Sequence, residues 1–407
     1  MSHYFIVGKS FGPLEESITA NGDSYTVLAD KNAYDTGNEG CSIDFSSKDA
    51  ILAGLKDIPK KPDGILTVYE NYVLAAAYIS EVLGLPGLSI DAAKACTDKS
   101  VMRKKFSQAP ENISPDFAEI SSLNDAINFA SQHAFPLILK PANLAKSLLV
   151  IKCSDASQLR KNYQYIHSQI DAVYKKYAPN SVPKLIIEEY MEDSVHSLDA
   201  FADDEGNVHL LDDIVDYQTG YDIGYEDNFH YSRILPSKLS VKNQASIKHV
   251  AKLGMKALGM KNSPAHIELI LTATGPKIVE IGARNGGYRS RMHLLANDID
   301  LHKAHISIAK GEIPKLTKKK NEYCAVIELF PRTNGRFKHI HAEAKLRNLD
   351  SLKYVSIKAK QGEFVGKSSD GYKMCAVIIL HHENKSTFEA DLEFVNDSVY
   401  VETSESK

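Results

Sequence analysis

No two of the five cysteines stand as a CxxC pair: Cys41, Cys96, Cys153, Cys324 and Cys375 are scattered and odd in number. That spacing offers neither a disulfide framework nor a zinc site, and fits reduced, mostly buried thiols in a cytoplasmic protein. Long apolar runs are missing as well. Tyr4-Phe5-Ile6-Val7 stops at Gly8 and Lys9, too short for a signal-peptide core. No stretch reaches the roughly 18 apolar residues of a membrane span. An excess of one charge is also lacking, since 48 Lys+Arg against 52 Asp+Glu leave −4 over 407 residues. Nothing global therefore draws the chain to nucleic acid or anionic lipid. Its one lysine run, Lys318-Lys319-Lys320, has no aromatic interleaving and reads as a solvated connector. No internal repeat and no biotinyl MKM segment is visible. The expectation is a small-molecule protein of two or three domains, with no nucleic-acid or membrane partner.

The first hundred residues alternate strand and helix. Tyr4–Val7, Ser24–Leu28 and Gly64–Val68 read as strands, and Asn71–Leu83 as a helix with an apolar face. That order predicts a parallel sheet with crossovers, whose ligand residues gather beyond the carboxyl ends of strands, where Glu70 falls. Ser89 or Asp91 can cap a helix through Ala92–Cys96, and a second helix carries Asp98, Lys99, Met102 and Arg103. From Phe135 the texture becomes strand-rich: Leu137–Leu139, Leu148–Ile151, Leu185–Ile187 and Ser197–Phe201. Val241–Leu258 is an amphipathic helix ended by Gly259, and His266–Leu271 with Lys277–Ile281 form a hairpin around Thr274-Gly275. One helix spans Ser290–Ala309, Gly311–Asn321 reads as a linker, and short strands near 325–330, 354–359 and 374–380 suggest a small α+β terminal domain.

Gly8-Lys9-Ser10 and Gly366-Lys367-Ser368 end like phosphate loops, but the required leading glycine is His3 in one and Gln361 in the other. Neither is a Walker site. The hairpin carries more chemistry. If its strands are antiparallel neighbours, Glu268 and Glu280 share one face, an arrangement suited to Mg²⁺ bound through carboxylates plus phosphate oxygens. Arg284 offers a fork for a carboxylate or phosphate, and Gly286-Gly287 let backbone approach a ligand. Read alone, these are also two exposed strand glutamates and a loop arginine. Lys140, at the end of an apolar strand, and Glu188-Glu189-Tyr190-Met191, at the end of another, complete what an ATP site needs. His293, His302 and His305 on the 290–309 helix do not match HExxH and read as surface or capping histidines.

In this order and spacing the motifs resemble the ATP-grasp superfamily, from the N-terminus to about residue 312. Phe135-Pro136-Leu137-Ile138-Leu139-Lys140-Pro141 resembles its lysine strand, Ile187–Glu192 its adenine hinge, and Glu268 with Glu280, twelve residues on, its paired metal ligands. The resemblance implies an N-terminal parallel α/β domain (1–95), an ATP-grasp core of two α+β subdomains (96–312) and a small C-terminal α+β domain (313–407). It implies ATP and Mg²⁺ as cofactors. Lys99, Lys140 and Lys146 would hold phosphates, Glu188, Glu189 and Met191 the adenine, and His196 or Asp199 the ribose, at a place where Val195 replaces the family's glutamate. Arg284 and Lys140 would be catalytic, and Glu70, Arg233, Arg284, Gly286 and Gly287 would face the substrates. The activity implied is carboxylate–amine ligation through an acyl phosphate, with a small carboxylate, such as an amino acid, and an amine as partners, in a homodimer. The alternatives are an ATP-grasp enzyme of nucleotide biosynthesis or of carboxylase type, and a catalytically silent ATP binder. The latter is motivated by the glycine-poor segment Ala142–Ser147 and by Val195. Gly282 stands where the family carries a metal-binding Asn, with Asn285 as a replacement, and Asp216–Asp227 reads either as a loop over the site or as an exposed hairpin.

Overall fold

Buried Tyr4, Phe5, Ile6 and Val7 make β1 (His3–Gly8) a strand with both faces covered. It pairs in parallel with β2 (Ser24–Asp30) and β4 (Gly64–Leu66), and β3 (Cys41–Ile43) closes the order β3-β2-β1-β4. Parallel pairing requires crossovers: α1 (Gly12–Thr19) connects β1 to β2 and α2 (Lys48–Leu55) connects β3 to β4, while α3 (Val73–Leu83) follows β4. The computed structural model describes residues 1–32, 40–144, 148–178, 181–227 and 229–404.

Ser89 caps α4 (Ile90–Thr97) and Asp98 caps α5 (Lys99–Phe106), which places Lys99 on the first turn of its helix. A four-stranded antiparallel sheet follows, in the order β5-β8-β6-β7: β5 (Phe117–Ile120), β6 (Leu137–Pro141), β7 (Ile151–Cys153) and β8 (Leu185–Glu189). Helices α6 (Leu123–Ala130) and α7 (Ala156–Tyr177) bury Phe129, Leu159, Ile166 and Tyr174 in a core of their own beneath it. The strand read over Leu148–Ile151 begins only at Ile151, because Leu149 sits in a turn at φ 56°.

The largest sheet runs β14-β13-β9-β11-β12-β15-β19-β17, with β10 (Val208–Leu210) added to β9 (Ser194–Ala202). Its members are β11 (Val215–Thr219), β12 (His230–Leu235), β13 (Ser263–Thr272), β14 (Gly275–Gly282), β15 (Tyr323–Leu329), β17 (Leu352–Ile357) and β19 (Ala376–His382). Helix α8 (Val241–Leu258) ends at left-handed Gly259 and packs Ile247, Ala251 and Met255 under β13 and β14. Antiparallel pairing of β12 with β15 carries the sheet across residue 312, so the C-terminal strands extend the same surface. A separate small sheet, β18-β16-β20, is formed by β16 (Gly335–Ile340), β18 (Phe364–Val365) and β20 (Val401–Ser404), near α11 (Glu343–Leu346) and α12 (Lys385–Ser398).

Three expectations are corrected here. The 290–309 segment is two helices, α9 (Arg289–Asn297) and α10 (Leu301–Ala309), parted by left-handed Asp298 and restarted by the Asp300 cap. His293, His302 and His305 are buried in them rather than at the surface. Burial pushes His293 down to about 4 and His305 to about 3, so both are neutral. The lysine run is not a free connector: Lys318 meets Asp213 at 2.8 Å, and the Lys319 N–H donates to Asn297. No described helix is long and apolar enough to cross a membrane.

Candidate functional site

β13 and β14 are antiparallel, and Glu268 stands directly opposite Glu280. Side chains of directly opposed residues project from the same face, so the two carboxylates are held together by register. Tyr217 on β11 donates to Glu268 Oε1 (3.3 Å), and His266 Nε2 lies 3.4 Å from the same oxygen. Glu280 is met by Lys99 Nζ at 2.7 Å. Burial works against ionising both. The hydrogen bond from His266, with the charges of His230, His266 and Arg284, nevertheless holds Glu268 far below the usual range. Lys99 does the same for Glu280 against repulsion from Glu268. Two ionised, oxygen-only donors facing each other fit a hard divalent cation such as Mg²⁺.

The second cluster is cation-rich. Lys140 on β6 and Glu188 on β8 lie diagonally across one sheet face, because Lys140 pairs with Ile186. Lys140 contacts Glu188 directly, and Arg103 from α5 reaches Glu188 Oε2 with Nε at 3.2 Å. Arg103 Nη2 also donates to the Val279 carbonyl (2.8 Å), while its buried Nη1 has no partner. Desolvation brings Lys140 down to about 8, opposed by Glu188 and aided by Arg103 and Lys99. Two buried cations thus share one carboxylate. At the end of β8 the Glu189 N–H donates to Asp116, whereas that of half-buried Met191 makes no backbone hydrogen bond among the described residues. Lys99 Nζ is 3.3 Å from the Leu144 carbonyl. Lys146 lies outside the described residues.

Arg284, just past β14, sets Nε 3.0 Å from Glu70, which follows β4. Burial and Glu280 raise the Glu70 carboxyl, with Arg284 and Lys99 opposing. At Gly282 a Cβ would sit 2.7 Å from Glu70 Oε2, so a larger residue there requires the Glu70 side chain to move. The Asn285 amide nitrogen donates to the Leu301 carbonyl on the helix side. Gly286 is forced by His266, whose Nδ1 would lie 2.3 Å from its Cβ, and Gly287 faces open space.

His196 and Asp199 are both committed. The His196 nitrogens meet Asp216 (2.8 Å) and Ser194 (2.7 Å). Asp199 accepts from His266 (3.0 Å) and from the Gly286 N–H (3.2 Å), with Arg289 at 3.7 Å. Burial disfavours its charge, yet the His266 charge and hydrogen bond hold it at about 2. Arg289 in turn donates to Ser197 and to Tyr217. An Asp199–His266–Glu268 chain therefore fixes the Glu268 carboxylate from behind. Sequence reading missed this network, Arg103 and Glu328; the one signal was the His-x-Glu alternation at 266–268, which puts both side chains on one strand face.

Arg233 lies on β12 with Nη1 2.9 Å from Glu328 of β15. The Asp216–Asp227 stretch belongs to the β11–β12 hairpin, and Asp227 accepts from the N–H groups of Ser368 and Ser369.

Residues 133–291 match the family model described as "ATP-grasp domain". The chain is 25% identical over 235 residues to the alanine–anticapsin ligase of Bacillus subtilis strain 168, covering 56% of this chain and 49% of that protein. It thus spans about half the length of that relative. Among solved structures, an L-amino acid ligase from Bacillus licheniformis superposes with a TM-score of 0.80 at 19% identity, covering 100% of this chain and 99% of the other. The biotin carboxylase domain of a Hydrogenobacter thermophilus 2-oxoglutarate carboxylase, described with MgADP and bicarbonate, gives 0.69 at 14% identity, covering 98% and 91%.

Proposed function

From its ATP-grasp domain, we infer that this chain is an ATP-dependent carboxylate–amine ligase. The observation that carries the reading is the meeting of two opposite charge clusters. Opposed Glu268 and Glu280, with Lys99 and Arg284 beside them, adjoin the cation-rich Lys140–Glu188–Arg103 group. In this reading Lys140 and Lys99 hold the phosphates of ATP, and the Met191 N–H at the end of β8 meets the adenine edge. Glu268 and Glu280 hold Mg²⁺, which when bound neutralises phosphate charge.

Chemistry then needs two displacements. A carboxylate oxygen of the first substrate bonds to the γ-phosphorus as the bond to ADP breaks, giving an acyl phosphate. The amine nitrogen then bonds to the acyl carbon, phosphate leaves, and the nitrogen gives up a proton. Arg284 orients the carboxylate and steadies the charge that develops on it, and Glu70 receives a cationic group on the same substrate. His266 and Tyr217 keep Glu268 aimed.

The test is release of ADP and phosphate with a panel of amino acids and amines, with and without Mg²⁺. Turnover requiring both substrates and metal is expected. ATP binding without turnover for any pair overturns the ligase reading in favour of a silent binder.

A further inference from the structure

Arg233 is anchored by one nitrogen only. Its Nη1 donates to the His230 carbonyl (3.0 Å) and meets Glu328 Oε2 (2.9 Å). The other oxygen of Glu328 accepts from the Tyr288 hydroxyl (2.8 Å). The guanidinium carbon lies 5.9 Å from the ring centre of Tyr217 and 5.6 Å from that of Tyr288, within cation–π range of both. Among the described residues, Nε and Nη2 make no protein hydrogen bond, and the side chain keeps 13% of its surface accessible. A guanidinium pinned at one nitrogen and steadied by two ring faces offers its free edge as two parallel N–H donors, the spacing a carboxylate takes.

Tyr217 ties this edge to the reaction centre. Its ring faces Arg233 while its hydroxyl donates to Glu268. The pair comes from β12 and β15, separate from the Glu70–Arg284 pair that follows β4 and β14. Charge selects the occupant. Glu328 already offsets much of Arg233, and Glu268 is nearby, so a phosphate dianion meets repulsion that a single carboxylate largely escapes. A ligand lacking an anion leaves the polar edge desolvated without a partner.

We propose that the Nε/Nη2 edge of Arg233 binds the carboxylate of the amine-bearing substrate, which makes that substrate an amino acid rather than a simple amine or an amino phosphate. This rests on the ligase reading. The experiment compares kcat/KM for three acceptors on the full chain: an α-amino acid, its carboxamide and 2-aminoethyl phosphate. Wild type is expected to prefer the acid at least about a hundredfold over either of the others. Arg233→Gln collapses that ratio to near one, and Arg233→Lys, which keeps the charge without the fork, falls between. Using a ratio cancels general damage to the variant. Hydroxylamine, a small acceptor needing no carboxylate, traps the acyl phosphate of wild type as a hydroxamate and reports the ligase reading separately. Absence of hydroxamate with every donor overturns that reading and this inference with it. Hydroxamate together with a wild-type ratio near one, preference for the phosphate, or a ratio that survives in Arg233→Gln overturns this inference alone.

Discussion

The two charge clusters are built from the same side-chain types and differ in their balance. Around Glu188 two buried cations share one carboxylate, whereas around Glu280 the carboxylates Glu268, Glu280 and Glu70 outnumber Lys99 and Arg284, the charge of His266 being balanced by Asp199. An excess of buried charge is costly to maintain, so each cluster favours a ligand of the missing sign. The first lacks an anion and the second a cation, which in the proposed reading MgATP would supply. Near-cancellation of the two explains how a chain of net charge −4 can hold a strongly charged site.

The sharpest way to break this contrast is Glu280→Gln, which removes one charge at constant volume. Mg²⁺-dependent ADP release should fall about a thousandfold with circular dichroism unchanged; retained activity at saturating Mg²⁺ would end the metal assignment. Next is Arg103→Met in the other cluster. Arg103 is fully buried, and its removal leaves the balanced pair Glu188–Lys140 but takes a donor from the Val279 carbonyl, so chemical denaturation should show a loss of about 1–2 kcal/mol. Unchanged stability would mean that the excess cation costs as much as it contributes. Arg284→Ala should raise KM for the carboxylate substrate about tenfold to a hundredfold and spare ATP affinity. If ATP affinity falls instead, Arg284 belongs to the nucleotide side.

The smallest effect is protonic. Lys140 sits at about 8, below an ordinary lysine, so above that pH the free protein loses its ammonium. An arriving phosphate favours the charged form and draws the proton back. Calorimetry at pH about 8.5 in buffers of different ionisation enthalpy should show proton uptake with ATP, absent in Arg at this position (Lys140→Arg). Equal uptake by both proteins would remove Lys140 from the phosphate contacts.

Local features were readable in the sequence wherever a turn or a cap fixes geometry. The tight turn between Thr272 and Gly275 brings Glu268 and Glu280 onto adjacent strands, and a bulge between Glu268 and Leu269, which shifts the register by one residue, sets them directly opposite each other. Helix α8 was legible to the residue because Ser240 caps it and Gly259 ends it. The supporting charges were not legible, since Arg103 meets Glu188 from 85 positions away and Arg233 meets Glu328 through strand pairing across residue 312. No periodicity reports pairings of that kind. The split at Asp298 was missed because apolar spacing continues through it, and only the left-handed backbone marks the break.

The four-stranded sheet with Lys140 and Glu188 is one unbroken excursion of the chain, leaving after Phe106 and returning before Ser194. It shares no strand with the large sheet that carries Glu268 and Glu280. What joins the two is side-chain and loop contact: Arg103 to Glu188, Lys184 to Asp98 and the Lys99 N–H to the Ala142 carbonyl. Two covalent tethers side by side hold that sheet as a pair of hinges holds a door, so the rotation they restrain least is a swing about the line that joins them. Arg233, Glu328, Glu268 and Glu280 lie on one continuous frame, so such a swing would change the distance from Lys140 to the two glutamates while leaving Arg233 and those glutamates in fixed register with one another.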